Sequence, residues 1–120
     1  MTTLSQWKTI LAGQVEAAAT ALDIDTVVRG EPRELHGSVV VTVSTAGSTG
    51  HSWLIALRCY VSGRLDPISA QDRLDQIVEG LVSRLDSRFG PDAWEEVEWV
   101  DELQALVVTC VLDVPRAFED

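Results

Sequence analysis

The stretch Ser52–Ser62, SWLIALRCYVS, constrains the fold more than any other part of the chain. Side chains on a strand alternate between two faces. Trp53, Ile55, Leu57, Cys59 and Val61 therefore share one face, and Leu54, Ala56, Arg58 and Tyr60 share the other. A strand open to water on one side should read polar there, and this one is apolar on both. Residues 38–44, SVVVTVS, repeat the pattern, with Val39, Val41 and Val43 against Val40, Thr42 and Ser44. The Gly/Ser/Thr-rich stretch 45–51 between them predicts a loop, so that 38–62 forms a long hairpin. Gly47, Ser48, Thr49, Gly50 and His51 are the candidate mobile residues of that loop.

Helical spacing appears twice. Leu4, Trp7, Leu11, Val15, Ala18 and Leu22 form one stripe of a 3.6-residue period, which predicts a helix over 4–21. Leu74, Ile77, Val78, Leu81, Val82, Leu85 and Phe89 form a second, predicting a helix over roughly 70–89. Ser69 is its expected N-cap, Arg84 and Arg88 suit its C-terminal dipole, and Gly90-Pro91 stops it. Between these, residues 26–28 predict a short strand, while Gly30, Pro32 and Gly37 oppose any long element. Residues 93–100 and 104–114 predict a closing hairpin turning at 101–103. The expected order is α-β-β-β-α-β-β. That is an α+β domain spanning 1–120, with a mostly antiparallel sheet of four to five strands and two main helices.

One domain suits 120 residues. A composition 46% hydrophobic and 23% charged is ordinary for a globular chain. The net charge of −10 opposes a general nucleic-acid binder or attraction to an anionic membrane. No apolar run reaches the length of a bilayer span, no signal-peptide layout opens the chain, and Asn is absent. Cys59 and Cys110 lie far apart in sequence with no CxxC, which points to reduced thiols in a cytosolic setting.

Candidate chemistry is sparse. Cys59 falls on the more apolar strand face, away from Arg58, where burial raises a thiol's pKa instead of activating it. His51 is eight residues from Cys59, which at strand rise is roughly 26 Å. Cys110, between Val108 and Leu112, follows the same logic, so both thiols are expected in the core. Glu95, Glu96, Glu98, Asp101 and Glu102 form an acidic run that reads as a cation site or, preferably, as a charged edge strand that deters sheet-to-sheet aggregation. Asp23 and Asp25 read as a turn rather than a metal-loop fragment. GSTG at 47–50 joins two strands and so is no nucleophile elbow, and no phosphate-cradling glycine motif is present. Trp7 and Trp53 fit the core pattern; Trp94 and Trp99 are undecided. No catalytic residue, metal or cofactor is expected.

The face opposite Cys59 carries Val40, Thr42, Leu54, Ala56, Tyr60, Val107, Thr109 and Val111, with Arg58 among them. Either a helix covers it, the Ala-rich first helix being able to cover part, or another chain does. Val40, Thr42, Leu54, Ala56, Arg58, Tyr60, Val107 and Val111 are thus candidate interface residues, Tyr and Arg being types enriched at interfaces.

The chain resembles the tail terminator (tail completion) proteins of long-tailed bacteriophages. The matching pieces are the first helix ending ALDIDTVVRGEP, then SVVVTVS, WLIALRCYVSG, the helix AQDRLDQIVEGLVSRL and the closing WEEVEWVDELQALVVTCVLDV. The resemblance covers nearly all the chain and rests on layout rather than on a diagnostic motif. It implies a non-enzymatic virion subunit, assembled in the host cytoplasm. Such a subunit forms a homohexameric ring, caps the completed tail tube, and joins it to head–tail connector or neck proteins. It implies no cofactor and no membrane. It also implies a lumen that DNA traverses without specific binding, for which Glu95, Glu96 and Glu98 would be an acidic wall. A head–tail completion protein, or a non-phage small-molecule-binding regulatory α+β domain, are the alternatives.

Overall fold

The computed structural model describes residues 3–29, 38–63, 67–84 and 93–115. Helix α1 runs Leu4–Leu22, β1 Thr26–Arg29, β2 Val39–Ser48, β3 Ser52–Ser62, α2 Pro67–Val82, β4 Ala93–Trp94, β5 Glu98–Val100 and β6 Ala105–Pro115. This is the expected α+β class.

A reciprocal capping box starts α1. The Gln6 N–H donates to Thr3 Oγ1 at 3.2 Å. The Thr3 N–H donates to Gln6 Oε1 at 2.8 Å. Two N-terminal donors are satisfied in this way. The end of the helix is set by Asp23 in the left-handed region (φ 53°, ψ 44°). The Ile24 N–H returns to Ala19 O at 2.9 Å, a Schellman-type closure. Trp7, Leu11, Ala12, Val15 and Ala18 are buried, the stripe that the spacing predicts.

Helix α2 begins two residues before the expected Ser69 cap. Pro67 at the first position has its φ preset for a helix and no N–H to satisfy, so the helix starts there and Ser69 sits exposed in the first turn. Ala70, Leu74, Ile77 and Leu81 are buried. The Arg84 guanidinium donates to Gly80 O at 2.9 Å, as a cation near the C-terminal carbonyls should. Leu85, Arg88, Phe89 and the Gly90-Pro91 stop lie outside the described residues, as do Gly30, Pro32 and Gly37.

The strand order is β1-β2-β3-β6-β4, with β5 also on β6; β1 and β2 are parallel and the other pairs antiparallel. The expected strand 93–100 is broken. Position 94 lies opposite Cys110 and position 99 opposite Leu106, so five residues of the edge span four of β6. One extra residue in 95–97 shifts the register there, as a bulge does, and the expected single strand becomes two.

Both helices pack on one side of the sheet. Trp7, Leu11 and Val15 of α1 and Leu74, Ile77 and Leu81 of α2 join Val41, Val43, Ile55, Leu57, Cys59, Val61, Val108, Cys110, Leu112 and Val114 in one core. Of the two alternatives left open for the opposite face, cover by α1 is ruled out: its stripe and that of α2 fill the same side. Where the helices meet, Arg73 of α2 donates from Nη2 to the carbonyls of Leu22 and, at 3.0 Å, Asp23, supplying a cation to the end of α1. Gly80 faces the Leu22 side chain so closely that an added Cβ would overlap a Leu22 methyl. Leu22 is itself packed against the core, which limits how far it can swing aside. Gly80→Ala is therefore expected to cost about 1–3 kcal/mol, an overpacking penalty exceeding its gain in helix propensity. Urea unfolding at constant m-value checks this.

Candidate subunit interface

The second face of the sheet is built in cross-strand rows. Val40, Tyr60 and Val107 form one; Thr42, Arg58 and Thr109 the next; Ser44, Ala56 and Val111 the third; Leu54 and Asp113 stand opposite each other in the fourth. These rows follow from period-2 alternation and the unbroken β3–β6 register.

Burial divides the eight interface candidates. Val40, Thr42, Ala56, Tyr60 and Val107 are 5% exposed or less within the single chain. For these five the expectation of a surface awaiting a partner is corrected. Val100 and Leu103, from β5 and the turn after it, pack against Val40, Tyr60, Ala105 and Val107 in a small second core. Leu54, Arg58 and Val111 remain half-buried, with Thr109 beside them. Arg58 lies across this patch and donates from Nη1 to Ser44 Oγ at 3.1 Å.

Thr42 carries a sealed hydroxyl with no hydrogen-bond partner. Burying a hydroxyl unpaired costs free energy that a methyl of the same shape does not. Thr42→Val is expected to stabilise the fold by about 1–2 kcal/mol, read as a higher denaturant midpoint at an unchanged m-value.

The loop candidates are redistributed. β2 continues through 45–48 with an irregularity between Thr45 and Gly47, so Gly47 and Ser48 are strand residues and not loop, Gly47 pairing with Leu54 and Ser48 with Trp53. The turn shrinks to 49–51. There the Thr49 hydroxyl accepts from the Ser52 N–H at 2.9 Å. It also accepts from the His51 N–H at 3.3 Å, which completes a local side-chain turn. Gly50 and His51 are exposed.

Glu95, Glu96 and Glu98 are all exposed, and the Glu95 N–H donates to Thr109 O at 2.8 Å. Among the described residues no group of three or more His, Cys, Asp or Glu is placed to hold a metal ion. Asp25 is a structural carboxylate: its Oδ2 accepts from the Ser38 N–H at 2.8 Å and the Val39 N–H at 2.9 Å, pinning the start of β2. Cys59 and Cys110 are both fully buried, as expected, and burial pushes the Cys59 thiol up to about 12, with Cys110 nearby adding to the rise. Among the described residues no helix is long and apolar enough to cross a membrane.

Trp7 is buried and Trp53 packs against the main core. The side chain of Trp94 lies outside the described residues, whereas Trp99 is 49% exposed. Alternation alone does not decide Trp99, because its fixed contact is long-range. Its ring lies against Gly63, whose added Cβ would also come within 2.8 Å of Gln104 O. The chain matches no protein-family model and no curated protein sequence.

Proposed function

We propose that the chain is a structural assembly subunit that closes into a ring, acting as the terminator of a long phage tail. The observation that carries this is one-sidedness. Both described helices fill the same side of the sheet, and the other side keeps a partly exposed patch of Leu54, Arg58, Thr109 and Val111. A sheet with an apolar patch and a cation on the side that carries neither described helix is suited to a neighbouring subunit.

In this reading six copies form a ring that caps the finished tail tube and later receives the neck of the head. No cofactor takes part and no bond is made or broken; the work is done by buried area and fit. The exposed carboxylates Glu95, Glu96 and Glu98 supply an acidic wall past which the like-charged duplex slides without sticking. The net charge of −10 serves the same end by disfavouring phosphate contacts.

Negative-stain electron microscopy of the purified chain tests the proposal. Annular particles with an open centre are expected. A uniform field of small particles without a channel would overturn it and favour a monomeric binding domain instead.

A further inference from the structure

We infer that Trp99 of one copy docks on the Arg58 patch of the next, and that this head-to-tail contact closes the assembly; the inference rests on the ring reading above. Trp99 is half exposed yet held at two points. Its ring lies on Gly63, and its Nε1–H donates to Asp101 Oδ1 at 3.4 Å. An indole fixed in this way loses little freedom on docking, and tryptophan is among the residue types most enriched at binding hot spots.

The surroundings set the partner's chemistry. Asp101 and Glu102 are exposed next to Trp99, and residues 93–115 contain no Lys, Arg or His. An indole flanked by carboxylates fits a guanidinium, which stacks on the ring face and pairs with the acids. Arg58 is the only cation in β2, β3 and β6. It is partly exposed, and on the same face Val111 stands in the adjacent row and Leu54 in the row beyond, which supplies the apolar area an indole needs.

Position decides how the copies join. Trp99 stands opposite Leu106, whose parity in β6 is that of the helix-covered face. Arg58 stands opposite Thr109, on the other face. Two complementary patches on opposite sides of one subunit link copies head to tail, the arrangement that closes into rings.

Sedimentation velocity on the full chain tests this with Trp99→Ala, Arg58→Glu, Glu102→Arg and the Arg58→Glu/Glu102→Arg double variant, each checked for cooperative unfolding. Trp99→Ala and Arg58→Glu are expected to weaken association by about 30-fold or more, as loss of a hot spot does. Glu102→Arg is expected to weaken it less, and the double variant to recover most of the loss in Arg58→Glu. Should Trp99→Ala fail to fold, the charge-swap pair decides alone. Single variants that assemble like the parent, or a double variant no better than Arg58→Glu, overturn this contact while the ring stands. A parent chain that never associates overturns both.

Discussion

Raising the pH from 9 to 12 is expected to destabilise the fold as the buried Cys59 thiol, with Cys110 beside it, is forced to ionise. Burial holds its thiol at about 12 against an ordinary value of 9.0. A group whose pKa is raised in the folded state binds its proton more tightly there than in the unfolded chain. Its contribution is therefore complete below pH 9 and is lost as the pH climbs toward 12. At about 1.4 kcal/mol per unit, the full loss is on the order of 4 kcal/mol. Cys59→Val, similar in size and without a titrating group, should flatten that part of the alkaline stability curve. Denaturant titrations at successive pH values give both curves. In the native state at neutral pH, a thiol reagent should modify Cys59 only at the rate of unfolding, since the thiolate is the reactive form. Rapid labelling would contradict the placement of Cys59 in the core.

The second large effect separates the two faces of the sheet. Leu57→Ala is expected to cost about 3–4 kcal/mol, within the range for a leucine truncated inside a packed core. Leu57 is fully buried on β3 among residues of both helices. Leu54→Ala, three residues away on the same strand, removes the same atoms from a half-exposed site on the other face. There water already reaches part of the side chain, and about 1 kcal/mol is expected from the smaller area re-exposed. Equilibrium unfolding in urea measures both. Equal losses would mean that the second face is as tightly closed as the first.

Much of this fold was legible because periodicity reports burial. The α1 stripe, the α2 stripe and the alternation of β3 each mark one face of an element. The signal for the α1 start was also present, since Thr3 and Gln6 stand at capping-box spacing ahead of an apolar stripe. Pro67 likewise marks a helix start, and Ser69 competed with it only because both are good first-turn residues.

What alternation cannot say is what covers a face. It placed Val40, Thr42, Ala56, Tyr60 and Val107 together, and they are together, but their burial depends on contacts from distant segments. Val100 and Leu103 reach back over part of that face only because a four-residue turn at 101–104 returns the chain onto β6. The break between β4 and β5 was hidden for another reason. Residues 95–98 contain no glycine or proline, so a single inserted residue left no local mark. The Arg73 bond to the end of α1 spans 51 residues and Trp99 meets a glycine 36 positions earlier, and neither can be inferred from local spacing. In the candidate interface, residue types and faces were legible, whereas the division into sealed and half-exposed residues was not.

The most direct measurement is the native mass spectrum of the wild-type chain at micromolar concentration. One closed species at six times the 13.1 kDa chain mass should dominate. Little intermediate oligomer should accompany it, because a ring gains its last contact on closure. A spectrum containing only the single chain, unchanged as concentration rises, would contradict the account.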